Sequence, residues 1–354
     1  MLRTPERITL ERTMKAAVFS DFGGPEVVRI DDLPAPDPGP GEVRIEVKAA
    51  AMNHLDLWVR RGLPIEITMP HIGGSDIAGF VDALGPGVAG VMPGTRVVVD
   101  PSLDYAWYDQ VPSGPNLPTR EMRLIGEHTQ GGFAEYCVAP AANLVEIPVE
   151  VPFRAAAAAS LVGVTAWRAL MVRGALRTGE RVLITGASGG VSSIAIQMAR
   201  LAGAEVYAVT SGGENVARAM ELGAHKVYDR NEVDWGRLVF KDTGKRGVDL
   251  VMDSVGEAVW PSCLRALAVG GRLVTFGATT GAAGNTEIRL VFWRQLSILG
   301  STMGSPADYR NAMNLVFQGK VDPVIHTVLP LSDARKAHEM LEAGEVFGKI
   351  VLEP

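Results

Sequence analysis

Cysteine is scarce in this 354-residue chain, which holds two, Cys137 and Cys263. Both sit in apolar surroundings. They read as buried free thiols rather than a disulfide or metal ligands, and a reducing, cytoplasmic setting is expected. A basic excess is also missing. The formal net charge is −6, which argues against nucleic acid or an anionic membrane as the main partner. No apolar run approaches the ~20 residues that cross a bilayer. The charged start MLRTPERITLERT lacks the apolar stretch of a secretory signal. What is present is the balance of a globular protein with a sizeable core, 47% hydrophobic and 21% charged, with length for about two domains.

The first 150 residues are rich in glycine, proline and short strand-like runs. EVRIEVKAAAMN alternates and then continues as a buried strand, and AGFVDALG and TRVVVD follow between turn signals. The character changes near Phe153. FRAAAAASLVGVTAWRALMVRG reads as a helix, and from RVLITG onward strands and helices alternate. Alternation of that kind builds a parallel sheet covered on both faces. The expected fold is α/β, with a mainly-β domain followed by a doubly wound parallel sheet. The tail VIHTVLPLSDARKAHEMLEAGEVFGKIVLEP reads strand, helix, strand and is expected to return to the first domain.

The strongest local signal is VLITGASGGVSSIAIQMAR, Val182 to Arg200. A strand runs into small residues and then into an amphipathic helix. Small residues let the backbone approach a pyrophosphate, and the helix start offers unpaired N–H groups. The spacing Ala187-x-Gly189-Gly190-x-Ser192 is a variant of the dinucleotide fingerprint. The next strand ends in Thr210 and Ser211 where NAD enzymes place a carboxylate on the ribose. Hydroxyls can bond a phosphate, and Arg218 is the nearest cation. NADP(H) is therefore favoured over NAD(H).

Together the segments PAPDPGPGEVRIEVKAAAMNHLDLWVRRG, PHIGGSDIAGFVDALGPGV, GGFAEYCVAP, GVTAWRAL, the fingerprint and VFGKIVLEP resemble the medium-chain dehydrogenase/reductase superfamily. The resemblance runs from Met14 to the C-terminus. It implies a GroES-like catalytic domain over residues 1–153, with 310–354 returning to it and 1–13 as a loose extension. It also implies a Rossmann domain over 154–309 and an active site in the cleft between them. Many members bind zinc through a Cys-x-x-Asp segment, a Gly-His-Glu segment and a later cysteine. This chain has Asn53-His54-Leu55-Asp56, Gly74-Ser75-Asp76 and Leu161 there. No thiolate or imidazole remains at the matched positions, so no metal site and no zinc are expected. His54 and His71 read as solvated or structural.

Without a Lewis acid, a simple ketone or aldehyde is a hard hydride acceptor, whereas a conjugated one spreads its charge. The resemblance to zinc-free members implies an oxidoreductase that passes hydride from NADPH to a quinone or an α,β-unsaturated carbonyl. Two alternatives stay open: an alcohol dehydrogenase or carbonyl reductase with an unusual metal or none, and a non-catalytic NADP(H)-binding protein. Asn53 is the expected amide donor to substrate or nicotinamide ribose, with Asp56 and Ser75 as further polar contacts. The family pattern implies Thr165, Ser188, Gly189, Gly190, Val191, Ser211, Phe276 and Gly277 as cofactor neighbours. It adds Lys349 as a charge partner of the pyrophosphate. A homodimer or homotetramer is implied, with VFWRQLSILGS as a sheet-edge contact. One stretch stands apart, DPSLDYAWYDQVPSGPNLP from Asp100 to Pro118. Relatives hold a structural zinc there with four cysteines. The matched residues here are Tyr105, Tyr108, Val111 and Pro118, and packing by Tyr105, Trp107 and Tyr108 is expected to replace the metal.

Overall fold

The computed structural model describes residues 12–105 and 122–354. The alternating first third folds as antiparallel sheet. β1 (Thr13–Phe19) pairs with β2 (Arg29–Pro34) on one side and β4 (His71–Ile72) on the other. β1 begins at Thr13, before Met14. Thr13 pairs with Pro34, and Arg12 bridges to Asp82 at 3.0 Å with its guanidinium over the Tyr136 ring. A β-branched residue and an ion pair thus extend the first strand into what the sequence marks as loose extension.

A seven-stranded sheet carries the remaining first-domain core. It joins β3 (Glu42–Ala51), β5 (Asp76–Leu84), β6 (Arg96–Val99), β9 (Tyr136–Pro140) and β10 (Leu144–Glu146). A short hairpin pairs β7 (Ser102–Leu103) with β8 (Arg123–Leu124). β3 alternates in burial over its first half and is continuously buried from Ala49 to Ala51, where the helix Phe153–Trp167 covers its second face. The C-terminal strands complete this sheet. β17 (Ile325–Pro330) lies parallel to β18 (Lys349–Glu353), and β18 pairs antiparallel with β3.

The second sheet is all parallel. Its order is β13 (Lys226–Asp229), β12 (Glu205–Thr210), β11 (Arg181–Ile184), β14 (Val248–Asp253), β15 (Leu267–Thr275), β16 (Ser297–Gly300). Helices Gly190–Leu201 and Trp260–Ala266 cover opposite faces, each packed in a different core cluster. This is the doubly wound arrangement expected of alternating strands and helices.

The alanine-rich helix Phe153–Trp167 sits between the two sheets. Ala156 to Ala159 are fully buried, and side chains this small let the helix approach both sheets closely. With its continuation to Arg173 it is long and apolar enough to cross a membrane, contrary to the sequence reading, because alanine, leucine and valine dominate its window. In the fold, 67% of that window is buried inside the protein. Across this seam Ser160 and Tyr309 bond each other at 2.8 Å. Both hydroxyls also reach the Val99 carbonyl, at 2.9 Å each.

Tyr105 opens the loop that resembles the cysteine lobe. It is buried, its hydroxyl donates to the Thr302 carbonyl at 3.3 Å, and its ring faces the Arg168 guanidinium. Trp107, Tyr108, Val111 and Pro118 lie outside the described residues. Cys137 and Cys263 are free and buried, and burial raises both thiols, Cys137 to about 12.

Candidate active site

Three neighbouring strand ends meet at the floor of an interdomain cleft. β3 lies between β5 and β18, with Ala51 opposite both Asp76 and Val351. Asn53 follows β3 by two residues, Asp76 begins β5, and Lys349 begins β18. The register therefore gathers all three side chains. The Lys349 Nζ donates to Asn53 Oδ1 at 2.5 Å and to Asp76 Oδ2 at 2.9 Å. The Asn53 Nδ2 donates to the same Asp76 oxygen at 2.9 Å, and Asp76 Oδ1 accepts the Leu161 N–H at 2.6 Å. Asp76 is fully buried and Lys349 is 4% exposed. A buried carboxylate in this setting needs a counter-charge, and Lys349 provides it.

This corrects the expected role of Lys349. Its ammonium is committed to Asp76 and Asn53 rather than held over the glycine turn. Its stem does pass that turn: a Cβ on Gly190 would lie 2.7 Å from the Lys349 Cδ. The Gly348 N–H donates to the Ser188 carbonyl at 2.8 Å. The fingerprint turn and the floor of the cleft are thus directly joined.

Asp56 and Ser75 also differ from expectation. Both are buried and neither lines the cleft. Asp56 works from behind, with Oδ2 accepting the Asn53 backbone N–H at 2.7 Å and Oδ1 accepting that of Gly74 at 3.1 Å. It closes the helix His54–Arg61 as a capping residue at its third position. Burial raises its carboxyl to about 7, against those two bonds and the charge of Lys349. The Ser75 Oγ has no partner among the described residues. His71 is structural, bonded to the Gly126 carbonyl at 3.0 Å and packed on Phe19. His54 is exposed on the cleft wall. Neighbouring groups around its ring partly desolvate it, and this, then the charges of Lys349 and Arg61, lowers its pKa.

Above the floor the cleft encloses about 490 Å³. Thr165, Ser188, Gly189, Gly190 and Val191 line it, as do Ser211, Phe276 and Gly277. The Thr165 hydroxyl donates to the Leu161 carbonyl at 2.8 Å. The start of the helix Gly190–Leu201 turns first-turn N–H groups toward this space. Gly189 lines the cleft, and a Cβ there would press against the Gly186 carbonyl at 3.2 Å. Thr210 Oγ1 is buried and without a partner among the described residues, and Thr210 also lines the cleft. These features fit a dinucleotide.

Arg218 does not reach this space. It stacks on the Phe347 ring at 4.3 Å, where an aromatic face outcompetes open water. Besides Lys349 at the floor, Arg230 lines the cleft, beside Thr210 and Ser211. Sequence reasoning passed over it, although it directly follows β13 at the carboxyl edge of a parallel sheet, where ligands bind. The nearest carboxylate, Asp229, spends both oxygens on the Gly212 and Asn231 N–H groups. Trp58, Met303 and Thr302 also line the cleft and carried no local signal, since Trp58 sits within the helix His54–Arg61 and Thr302 and Met303 in the segment after β16. Another cavity, of about 680 Å³, is lined by Met14, Leu33, Met69, Ile125 and Tyr136, with Asp37, Glu42, Asp104 and Arg123 as its charged lining.

Zinc would need three thiolate, imidazole or carboxylate donors around an open position. Asp76 is one such donor here, and both its oxygens are engaged. No group of three His, Cys, Asp or Glu able to hold a metal occurs among the described residues. The donor set does not fit zinc.

Residues 39–149 match the alcohol dehydrogenase GroES-like domain, and residues 190–318 match the zinc-binding dehydrogenase family. The quinone oxidoreductase of Homo sapiens is 28% identical over 97% of this chain and 99% of its own length. An alcohol dehydrogenase of Geobacillus stearothermophilus is 31% identical over 96% and 99%. Among solved structures, an NAD-dependent alcohol dehydrogenase is 41% identical with a TM-score of 0.89, covering 96% of this chain and 99% of that one. The crotonyl-CoA carboxylase/reductase AntE in complex with NADP is 27% identical with a TM-score of 0.87, covering 99% and 97%.

Proposed function

This chain belongs to the medium-chain dehydrogenase/reductase superfamily, and on that premise we propose that it is a zinc-independent, NADPH-dependent oxidoreductase acting on a quinone or an α,β-unsaturated carbonyl. The buried Lys349–Asp76–Asn53 cluster carries the reading. Asn53 and Asp76 stand in segments matched to zinc-binding ones, and with Lys349 they form donors and acceptors suited to hydrogen bonding rather than metal ligation. Bound NADPH would supply the hydride. The chain's own residues then have three tasks. Asn53 offers an amide N–H to the substrate carbonyl oxygen, where charge collects in a conjugated acceptor. The glycine turn and its helix start hold the pyrophosphate. Leu55, Leu161, Val255 and Met303 provide apolar walls that exclude water. Solvent at the cleft mouth supplies the proton, to the carbon next to the carbonyl in an enone or to oxygen in a quinone.

The preference for NADPH is supported by Thr210, Ser211 and Arg230 on one wall, with the Asp229 carboxylate already bonded. The deciding assay follows NADPH and NADH oxidation separately across quinones, enones and aldehydes, with metal analysis of the purified protein. Turnover of conjugated acceptors with NADPH, insensitive to chelator, is expected. Stoichiometric zinc required for turnover would overturn the reading. Tight NADPH binding without turnover on any acceptor would favour a non-catalytic binding protein.

A homo-oligomer in the cytoplasm belongs to the same proposal. β16 is an edge strand, and beside it Ile288, Phe292 and Trp293 are exposed. An unpaired edge with such apolar neighbours is a natural pairing surface for a second copy. Light scattering on the purified protein tests it, and a monomer at micromolar concentration would refute it.

A further inference from the structure

We infer that Lys349 and Asp76 are positioning residues that lock the Asn53 amide in one orientation and leave its second N–H as the donor to substrate. The inference rests on the proposed reduction of a conjugated carbonyl. An asparagine amide has two nearly isosteric ends, and its environment decides which way it points. Here the environment leaves no choice. An ammonium donates and never accepts, so the amide end facing Lys349 Nζ at 2.5 Å is the oxygen. A carboxylate whose partners include an ammonium accepts, so the end facing Asp76 Oδ2 at 2.9 Å is the nitrogen. A flipped amide would set N–H against N–H and oxygen against oxygen.

One N–H of that nitrogen is taken by Asp76. No described residue takes the other, and Asn53 lines the cleft. The lock is itself anchored. Asp76 Oδ1 is pinned by the Leu161 N–H, and the Lys349 stem lies against Gly190 in the fingerprint turn. Asp56 holds the Asn53 backbone from the far side. A donor fixed in this way loses no orientational freedom when charge develops on the carbonyl oxygen, which is where preorganised donors contribute most. The lysine–carboxylate pair thus does for Asn53 what a fixed ligand sphere does for a metal: it sets the direction of the electrophile.

The test is a double-mutant cycle with Asn53→Ala and Lys349→Met, read in kcat and, separately, in the NADPH dissociation constant. Each single variant is expected to lower kcat by about 10²–10³-fold, with NADPH affinity within about threefold of wild type. The double variant is expected to lose no more than either single one, because Lys349 acts through Asn53. Lys349→Met leaves Asp76 unpaired and could impair folding, so Lys349→Met/Asp76→Asn, which removes both charges, serves as the second background. It is expected to fold and to show the same low kcat. Losses that multiply in the double variant, or a loss confined to NADPH affinity, would overturn the lock while leaving the functional reading intact. A wild-type protein inactive on every acceptor would overturn both.

Discussion

The two ends of the cleft hold their polar groups in opposite ways. At the floor, Asn53, Asp76 and Lys349 bond one another, leaving one Asn53 N–H toward the cleft, and Asp56 and the Leu161 N–H brace them. At the far wall, Thr210 Oγ1 has no described partner, and Ser211 and Arg230 face the cavity. Buried polar groups are ordinarily bonded, and Thr210 Oγ1, unlike the equally unpartnered Ser75 Oγ, lies on the cleft wall, where a ligand atom can reach it. A mutually bonded, charged cluster marks a place whose geometry is set before any ligand arrives. The first arrangement suits recognition and the second suits chemistry.

Three substitutions break or sharpen this contrast, in addition to the Asn53–Lys349 cycle, which carries the largest expected effect. Arg230→Ala removes the far wall's cation. It should weaken NADPH binding about 10–100-fold, in the range of one lost charge-assisted contact, and leave NADH binding nearly unchanged. Fluorescence titration with both nucleotides reads it, and equal losses for the two would remove the distinction between the ends.

Asp56→Asn probes the brace behind the floor. Burial raises the Asp56 carboxyl to about 7, so the folded state favours its protonated form. Its contribution to stability is full below the unfolded value of about 4 and is lost as pH rises through about 7. Urea unfolding should show the wild type losing about 1–3 kcal/mol more than Asp56→Asn between pH 5 and pH 8. Asp100, raised by burial to about 6, leaves a residual slope in both proteins. Identical slopes would mean that Asp56 is already charged in the fold.

The smallest effect is expected at the seam. Tyr309→Phe deletes the hydroxyl that bonds Ser160 and the Val99 carbonyl. Ser160 keeps its own bond to that carbonyl, so the cost should be about 1 kcal/mol, with kcat unaffected. A large drop in kcat would show that the fixed floor depends on the seam between the sheets.

Much of the architecture was legible because its causes are local. Alternation in EVRIEV gave a half-buried strand, and the run from Ala49 to Ala51 marked where a helix covers the second face. The glycine turn before the helix Gly190–Leu201 was equally readable, since its strand, turn and helix are contiguous. The site was legible in part. Thr165, Ser188, Gly189, Gly190, Val191, Ser211, Phe276 and Gly277 line the cleft, whereas Arg218 does not and Arg230 does. An arginine side chain can swing to several partners, and the nearby Phe347 ring comes from a distant segment.

By itself the sequence determined the two sheet types, the dinucleotide turn and the absence of thiolates at the metal-matched positions. Each follows from residues adjacent in the chain, whose periodicity or chemistry acts over one turn or one strand. The tertiary structure alone decided which side chains meet at the floor of the cleft. Asn53 is 23 positions from Asp76 and 296 from Lys349. Their meeting depends on β3 lying between β5 and β18. Once Asp76 is buried there, its need for a counter-charge draws the lysine ammonium down to the floor and away from the phosphate turn.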